Sequence, residues 1–245
     1  LTLEVRGISK RYGGVRALRS VSFAVSAGER VALIGPNGAG KTTCFNVLNG
    51  QVHPDDGDVL LDGRSVAGLP PRAIWRRGVG RTFQVTQTFG SMTVRENVQV
   101  ALLSVAGELG SPFRLFKDQQ AAEADALLAR IGMAEQAERR CAILSYGDLK
   151  RVELALALAS RPRVLLMDEP TAGMAATERA ELMRLAVEVA ERERLALLFT
   201  EHDMDVVFGF ATRVLVLNEG ELIAAGTPEA VRTDRKVQEV YLGSA

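Results

Sequence analysis

Eight consecutive residues, Gly35-Pro-Asn-Gly-Ala-Gly-Lys-Thr42, restrict this chain more than any other stretch. They fit G-x-x-x-x-G-K-[ST], a loop that cradles the phosphates of a nucleotide and needs a strand before it and a helix after it. Both flanks comply. Arg30-Val-Ala-Leu-Ile34 is a short apolar run of the kind buried in a parallel sheet, and Thr42 to Leu48 reads as a helix closed by Asn49-Gly50. Gly35, Gly38 and Gly40 let the backbone turn back and aim its N–H groups at phosphate oxygens. The helix N-terminus adds partial positive charge and Lys41 a full one. Asn37 and Thr43 complete the candidate nucleotide contacts, and Thr42 is placed to ligate the magnesium that accompanies a nucleoside triphosphate.

At 245 residues the chain is long enough for one large domain, or for a domain with subdomains around a sizeable core. Thirty basic residues balance thirty acidic ones, so no bulk field favours nucleic acid or anionic lipid as a partner. Cys44 and Cys141 are the only cysteines and form neither a disulfide framework nor a metal spacing, which favours a reducing, cytosolic setting. Cys44 lies inside the helix after the phosphate loop, where a buried thiol is expected. There is no signal-peptide pattern, and no apolar run approaches the ~18–20 residues of a membrane span.

The chain order predicts an α/β fold. Leu3-Glu-Val5 and Val21-Ser-Phe-Ala-Val25 alternate with period two around a Tyr12-Gly13-Gly14 turn, and Val59-Leu-Leu61 sits between Asp-Gly turn signals. These segments predict an antiparallel β subdomain over about 1–30 and 51–75. Val79 to Phe83 reads as a strand. Thr93-Val-Arg-Glu96 is a capping box that opens a helix over Val94 to Ser104. With a loop over Gly107 to Asp118 and further helices over Gln119 to Ile131 and Leu149 to Ser160, about 89–160 reads as a helical subdomain. Strands at Val164–Met167, Leu195–Thr200 and Val214–Leu217 then alternate with helices at Ala176–Arg192 and Met204–Phe210. Leu222 to Ala225 is one more strand, and Thr227-Pro228 caps a last helix. The result is a phosphate-loop core with a mostly parallel sheet covered on both faces.

Asp168-Glu169 directly follows the strand Val164 to Met167. A carboxylate at the carboxyl end of a parallel strand lies where ligands bind in such sheets. Asp168 is therefore the candidate magnesium ligand, and Glu169 the group that orients or deprotonates an attacking water. Leu144-Ser-Tyr-Gly-Asp148 precedes a helix, with Ser145 as its candidate N-cap and Gly147 as a close-approach position. The ordered set G-P-N-G-A-G-K-T, Gln84, L-S-Y-G-D, V-L-L-M-D-E-P and His202 resembles the ATP-binding subunit of an ABC transporter over essentially the whole chain.

The resemblance implies a role for each matching residue. Tyr12 would stack on adenine. Gln84 would sense the γ-phosphate and magnesium and contact the membrane partner, and His202 would contact the γ-phosphate. Ser145 and Gly147 would close on the ATP of a second ATPase subunit, the same or a different chain. Partners implied are transmembrane permeases and, indirectly, a periplasmic substrate-binding protein, with the chain peripheral on the inner face of the membrane.

Three residues depart from the commonest family pattern: Tyr146 stands for glycine, Asp148 for glutamine and Ala175 for aspartate. Arg81-Thr-Phe-Gln84, L-S-Y-G-D, Thr171-Ala-Gly-Met174, Glu201-His-Asp-Met204 and Tyr241-Leu-Gly243 are similar to the larger ATPase subunit of branched-chain amino acid importers. Two other family readings remain, a lipopolysaccharide-export ATPase, whose pattern carries L-S-G-G, and a soluble ABC ATPase such as one serving iron–sulfur cluster assembly. A phosphate-loop kinase would leave the Ser145 loop without a purpose.

Overall fold

The computed structural model describes residues 2–82, 88–107 and 120–242, with the side chains of 241 and 242 excepted. Gln84 and nearly all of the loop expected over Gly107 to Asp118 lie outside the described residues. Two sheets organise the rest. In the first, β1 (Leu3–Tyr12) and β2 (Val15–Val25) form a hairpin turned at Gly13-Gly14. β4 (Asp56–Leu61) pairs antiparallel with β1, and β5 (Arg64–Ser65) with β4. In the second, β9 (Arg213–Asn218), β3 (Arg30–Ile34), β8 (Ala196–Thr200), β7 (Val164–Asp168) and β6 (Val79–Thr82) run parallel in that order. The edge strand β10 (Glu221–Gly226) is antiparallel to β9.

Strand periodicity divides the interior into two cores. Alternate residues of a strand face opposite sides of its sheet, and a parallel sheet is covered on both. Val31, Leu33, Leu166, Leu198, Leu215 and Leu217 face helix α1 (Lys41–Leu48) and the inner face of the β1–β2 hairpin. Ala32, Ile34, Leu165, Met167, Leu197 and Phe199 face the other way. That second core also holds Val98 of α3 (Val94–Ala106), Leu128 of α4 (Ala121–Arg130), Val152 of α5 (Tyr146–Leu158) and Met183 of α6 (Ala176–Glu193). Helix α1 thus lies between two sheets, and its Phe45 is fully buried.

Local capping follows the residues. Thr93 and Glu96 exchange side-chain and backbone hydrogen bonds at 3.1 and 2.8 Å, the reciprocal box expected of them. Ser145 accepts from the Asp148 N–H at 3.1 Å and Thr227 from the Ala230 N–H at 3.3 Å, so both begin helices.

Some elements differ from expectation. The hairpin strands are longer than the alternating runs at their ends, because bulges between Val5 and Arg11 shift the register and break the period. The segment 51–75, expected as β, also contains the start of a short helix, α2 (Pro71–Arg76), which opens at a proline and anchors on buried Ile74. α5 starts at Tyr146 rather than Leu149, which puts Gly147 inside its first turn. α7 (Met204–Phe210) and α8 (Pro228–Thr233) are followed by α9 (Arg235–Leu242), a helix absent from the sequence expectation. No helix among the described residues is long and apolar enough to cross a membrane.

Because Phe45 is fully buried in the core that residues of both sheets share, Phe45→Ala is expected to destabilise the chain by about 3–5 kcal/mol. Urea denaturation of the two proteins side by side measures it, and a loss under about 1 kcal/mol would place the packing load elsewhere.

Candidate functional site

The phosphate loop is shaped by what presses on it. A Cβ at Gly35 would sit 2.1 Å from the Leu217 carbonyl oxygen, and one at Gly40 would sit 2.4 Å from that of Ala17. Gly40 also holds φ at +105°, where a side chain is strained. The loop is therefore wedged between the end of β9 and the start of β2. It opens onto a cleft of about 720 Å³ lined by Asn37 to Thr43 together with Val15, Arg16, Arg19 and Glu169. Tyr12, at the tip of the same hairpin, is half exposed, with the Lys10 ammonium 5.7 Å from its ring centroid.

Lys41 is buried in the loop and donates to the carbonyls of Gly35 at 2.7 Å and Pro36 at 3.1 Å. Burial lowers its pKa, while the charges of Glu169 and Asp168 pull it back up. Its neighbour Cys44 is a packed core residue whose thiol is pushed up to about 12 by burial. That leaves it protonated and inert.

The carboxylates at the end of β7 are held by side chains of β6, β8 and the loop after β8. Asp168 Oδ2 accepts from the Arg81 guanidinium at 2.9 Å, and Oδ1 from the Thr200 hydroxyl at 2.8 Å. Arg81 leans on α1 as well, donating to Asn46 Oδ1 at 2.8 Å, and burial lowers its pKa against the opposing pull of Asp168. Glu169 adopts left-handed backbone geometry, φ +47°, with its N–H directed at Thr200 Oγ1 at 3.0 Å. Its Oε1 lies 2.8 Å from His202 Nε2, so the Nε2–H tautomer donates to the carboxylate. One residue before His202, buried Glu201 accepts from both the N–H and the hydroxyl of Thr171. Burial raises the Glu201 pKa, and the Thr171 and His202 donors oppose that.

The structure thus brings Gly35, Asn37, Gly38, Gly40, Lys41, Thr42, Thr43 and Glu169 together around one cleft or its supporting loop, with Asp168 and His202 bonded at its margin. Ser145 and Gly147 do not line that cleft. Ser145 caps α5, and a Cβ on Gly147 would make only ordinary contacts, 3.6 Å from Glu178 and Met174. Asp148 occupies the first turn of α5, where a carboxylate suits the helix dipole. Ala175 precedes α6 without a side-chain acceptor; the Glu178 carboxylate instead accepts the Ala175 N–H at 3.2 Å. Gln84 is not among the described residues.

Sequence reasoning named no role for Arg81, Thr200, Glu201, Thr171 or Arg16. An arginine in a strand bordered by buried positions was the one readable hint, since such a residue is seldom buried unpaired. With both side chains under a tenth exposed, Arg81→Ala strands the Asp168 charge. It is expected to cost about 3–5 kcal/mol, with less than additive loss when Asp168→Asn is added. Equilibrium unfolding of the single and double variants tests this, and strict additivity would refute the coupling.

Comparison with known proteins matches this geometry to a family. Residues 18–172 match the ABC transporter model, and residues 221–245 match a branched-chain amino acid ATP-binding cassette transporter model. The chain is 41% identical over 250 residues to the high-affinity branched-chain amino acid transport ATP-binding protein LivG of Salmonella typhimurium, covering 99% of this chain and 98% of that one. It is 38% identical to BraF of Pseudomonas aeruginosa, of the same description, with the same coverage. The lipopolysaccharide export ATP-binding protein LptB of Haemophilus influenzae is 34% identical over 98% of this chain and 97% of its own. Among solved structures, the ADP conformation of an ATP-binding cassette of an ABC transporter superposes with a TM-score of 0.87 at 29% identity, covering 99% and 98% of the two chains.

Proposed function

The chain belongs to the ABC transporter family of ATP-binding cassettes and is a transport ATPase subunit, and we propose that the importer it powers carries branched-chain amino acids or related small amides and acids. The observation that carries the ATPase chemistry is the Glu169–His202 pair, 2.8 Å apart, on a cleft floored by the phosphate loop. The cargo class is supported by the full-length likeness to LivG and by the match of residues 221–245. Lipopolysaccharide export is the weaker reading, at lower identity.

In this reading the loop N–H groups from Gly38 to Thr43 and the Lys41 ammonium bind the ATP phosphates, and Tyr12 stacks on adenine. The donors fit magnesium: Thr42 is exposed and offers a hard hydroxyl oxygen, and Asp168, whose two carboxylate oxygens already accept from Arg81 and Thr200, would hold the ion through a bound water. Among the described residues no group of three His, Cys, Asp or Glu could form a cage. When bound, magnesium neutralises charge on the phosphates. Glu169 accepts a proton from the attacking water, and His202 shares its single Nε2–H between Glu169 and the γ-phosphate. No covalent intermediate is required, because positioning and charge account for phosphoryl transfer to water. Gln84 is proposed to report the γ-phosphate and magnesium to the permease.

Ser145 and Gly147 are proposed to close on the ATP held by a second ATPase subunit. Two observations support this. Gly147 has no positive φ and no crowding inside its own chain, yet glycine in a helix costs about 1 kcal/mol. Ile143 and Tyr146, on either side of Ser145, are large apolar residues left exposed. Permease docking is proposed on the helical region near Gln84 to Asn97. An open, mostly apolar cleft of about 330 Å³ between α2, α3, α5 and β6, lined by Ile74, Trp75, Ala101 and Leu156, adjoins that segment through Thr82 before it and α3, the helix that carries Asn97. The subunit would then sit peripherally on the inner face of the membrane, and a periplasmic binding protein would deliver the cargo.

Glu169→Gln is expected to lower the hydrolysis rate by about 10²–10⁴-fold while ATP binding persists, trapping a dimer on size exclusion with ATP. A monomer with ATP, or an undiminished rate, would sink the general-base assignment. Lys41→Ala is expected to weaken ATP about 10- to 100-fold by calorimetry; unchanged affinity would remove Lys41 from the site. A tagged pull-down from solubilised membranes should recover polytopic permeases and a further ATPase, and recovery of soluble proteins alone would refute the transport assembly.

A further inference from the structure

The pairing of β7 with β8 ends at Asp168 opposite Thr200, yet side chains continue the tie beyond it. Thr200 bonds Asp168 Oδ1 and the Glu169 N–H, and His202 bonds Glu169. On the rung beyond, Glu201 Oε1 accepts the Thr171 N–H at 2.9 Å and the Thr171 hydroxyl at 2.7 Å. Both residues are buried, Glu201 4% exposed and Thr171 2%. A carboxylate so placed is costly unless hydrogen-bonded, and here one oxygen gathers both donors of a single residue. The contact lies two residues after Glu169 and one before His202. A slip of one loop past the other would therefore part the pair that the reaction uses. Glu169 itself holds left-handed geometry, a conformation that persists at a site only where its surroundings over-determine it.

We propose that Glu201 is a positioning residue: by gripping Thr171 it fixes the register of the loop after β7 against the loop after β8, and so holds Glu169 and His202 in reacting geometry. The proposal rests on the ATPase reading of that pair. Glu201 touches no substrate in this arrangement. Its contribution is the alignment of groups that do, where displacement by about 1 Å costs on the order of 100-fold in rate.

The test is steady-state ATP hydrolysis by the full chain as wild type, Glu201→Ala, Glu201→Gln and Thr171→Val, with ATP affinity read from a fluorescent ATP analogue. Glu201→Ala should lower kcat by on the order of 100-fold with affinity unchanged. Glu201→Gln keeps an acceptor oxygen and should recover most of the rate. Thr171→Val keeps the N–H donor alone and should fall between them; it carries the same test if Glu201→Ala fails to fold. In a Glu169→Gln background, Glu201→Ala should lower the rate no further. Wild-type kcat in folded Glu201→Ala, equal losses for Ala and Gln, or affinity and stability falling in step with kcat would each overturn the proposal. Full activity in Glu169→Gln would sink the underlying ATPase reading instead, so the two failures are separable.

Discussion

Two carbonyl oxygens, of Leu217 and Ala17, sit where side chains at Gly35 and Gly40 would otherwise be. The site depends on this contact. It seats the phosphate loop between the end of a core strand and the start of the hairpin's second strand, and neighbouring backbone bonds lock the arrangement. The Gly220 N–H donates to the Ala39 carbonyl at 3.0 Å, and the Arg19 N–H to the Gly220 carbonyl at 2.8 Å. Loop conformation is therefore a property of three segments far apart in the chain. The hairpin contributes twice, bracing the loop from behind and supplying Val15, Arg16 and Arg19 to the cleft. A strand–loop–helix motif alone would lack that brace.

Electrostatics explain the second layer. A phosphate site wants cations, whereas water activation wants carboxylates, and here both crowd around the ends of β6, β7 and β8. Arg81 resolves part of the conflict by bonding Asp168 from the neighbouring strand. Lys41 shows the remainder, since burial disfavours its charge while Asp168 and Glu169 favour it. Arg81 and Asp168 meet as opposite charges at 2.9 Å, which is what buried charges require. Arg81 stands two residues before Phe83, where the described residues break off, so the acid that ends β7 is tied directly to the strand leading to Gln84.

The core was readable in the sequence because its physics is local. A buried parallel strand is a run of apolar residues, and a capped helix announces itself in Thr93 and Glu96, so β3, β7, β8, β9 and the start of α3 followed from short windows. Asp168 and Glu169 were readable for the same reason, as acids closing an apolar strand. The hairpin was partly hidden, because bulges between Val5 and Arg11 erase the period-two signal. α2 was hidden by its length, since six residues hold too little periodicity to separate helix from turn. Thr200, Glu201 and Thr171 gave no local sign at all. Their roles arise from contacts across about thirty positions of sequence, such as the hydroxyl of Thr200 on Asp168, and residue type alone does not reveal such a partner.

Ser145 and Gly147 present a different case, in which sequence and fold supply complementary halves of one inference. The family resemblance implies that they contact phosphate, yet neither lines the cleft of its own chain. Their local roles do not account for both residues. Ser145 earns its identity as the cap of α5, but Gly147 relieves no crowding and adopts no positive φ. A glycine that weakens the first turn of a helix without an internal reason is best explained by something approaching from outside. The exposed side chains of Ile143 and Tyr146 beside it are surfaces that such an approach would cover. In the proposed reading, a second copy or a related subunit would bring a matching phosphate loop to that position and convert an unexplained weakness in one chain into the closing contact of a shared site.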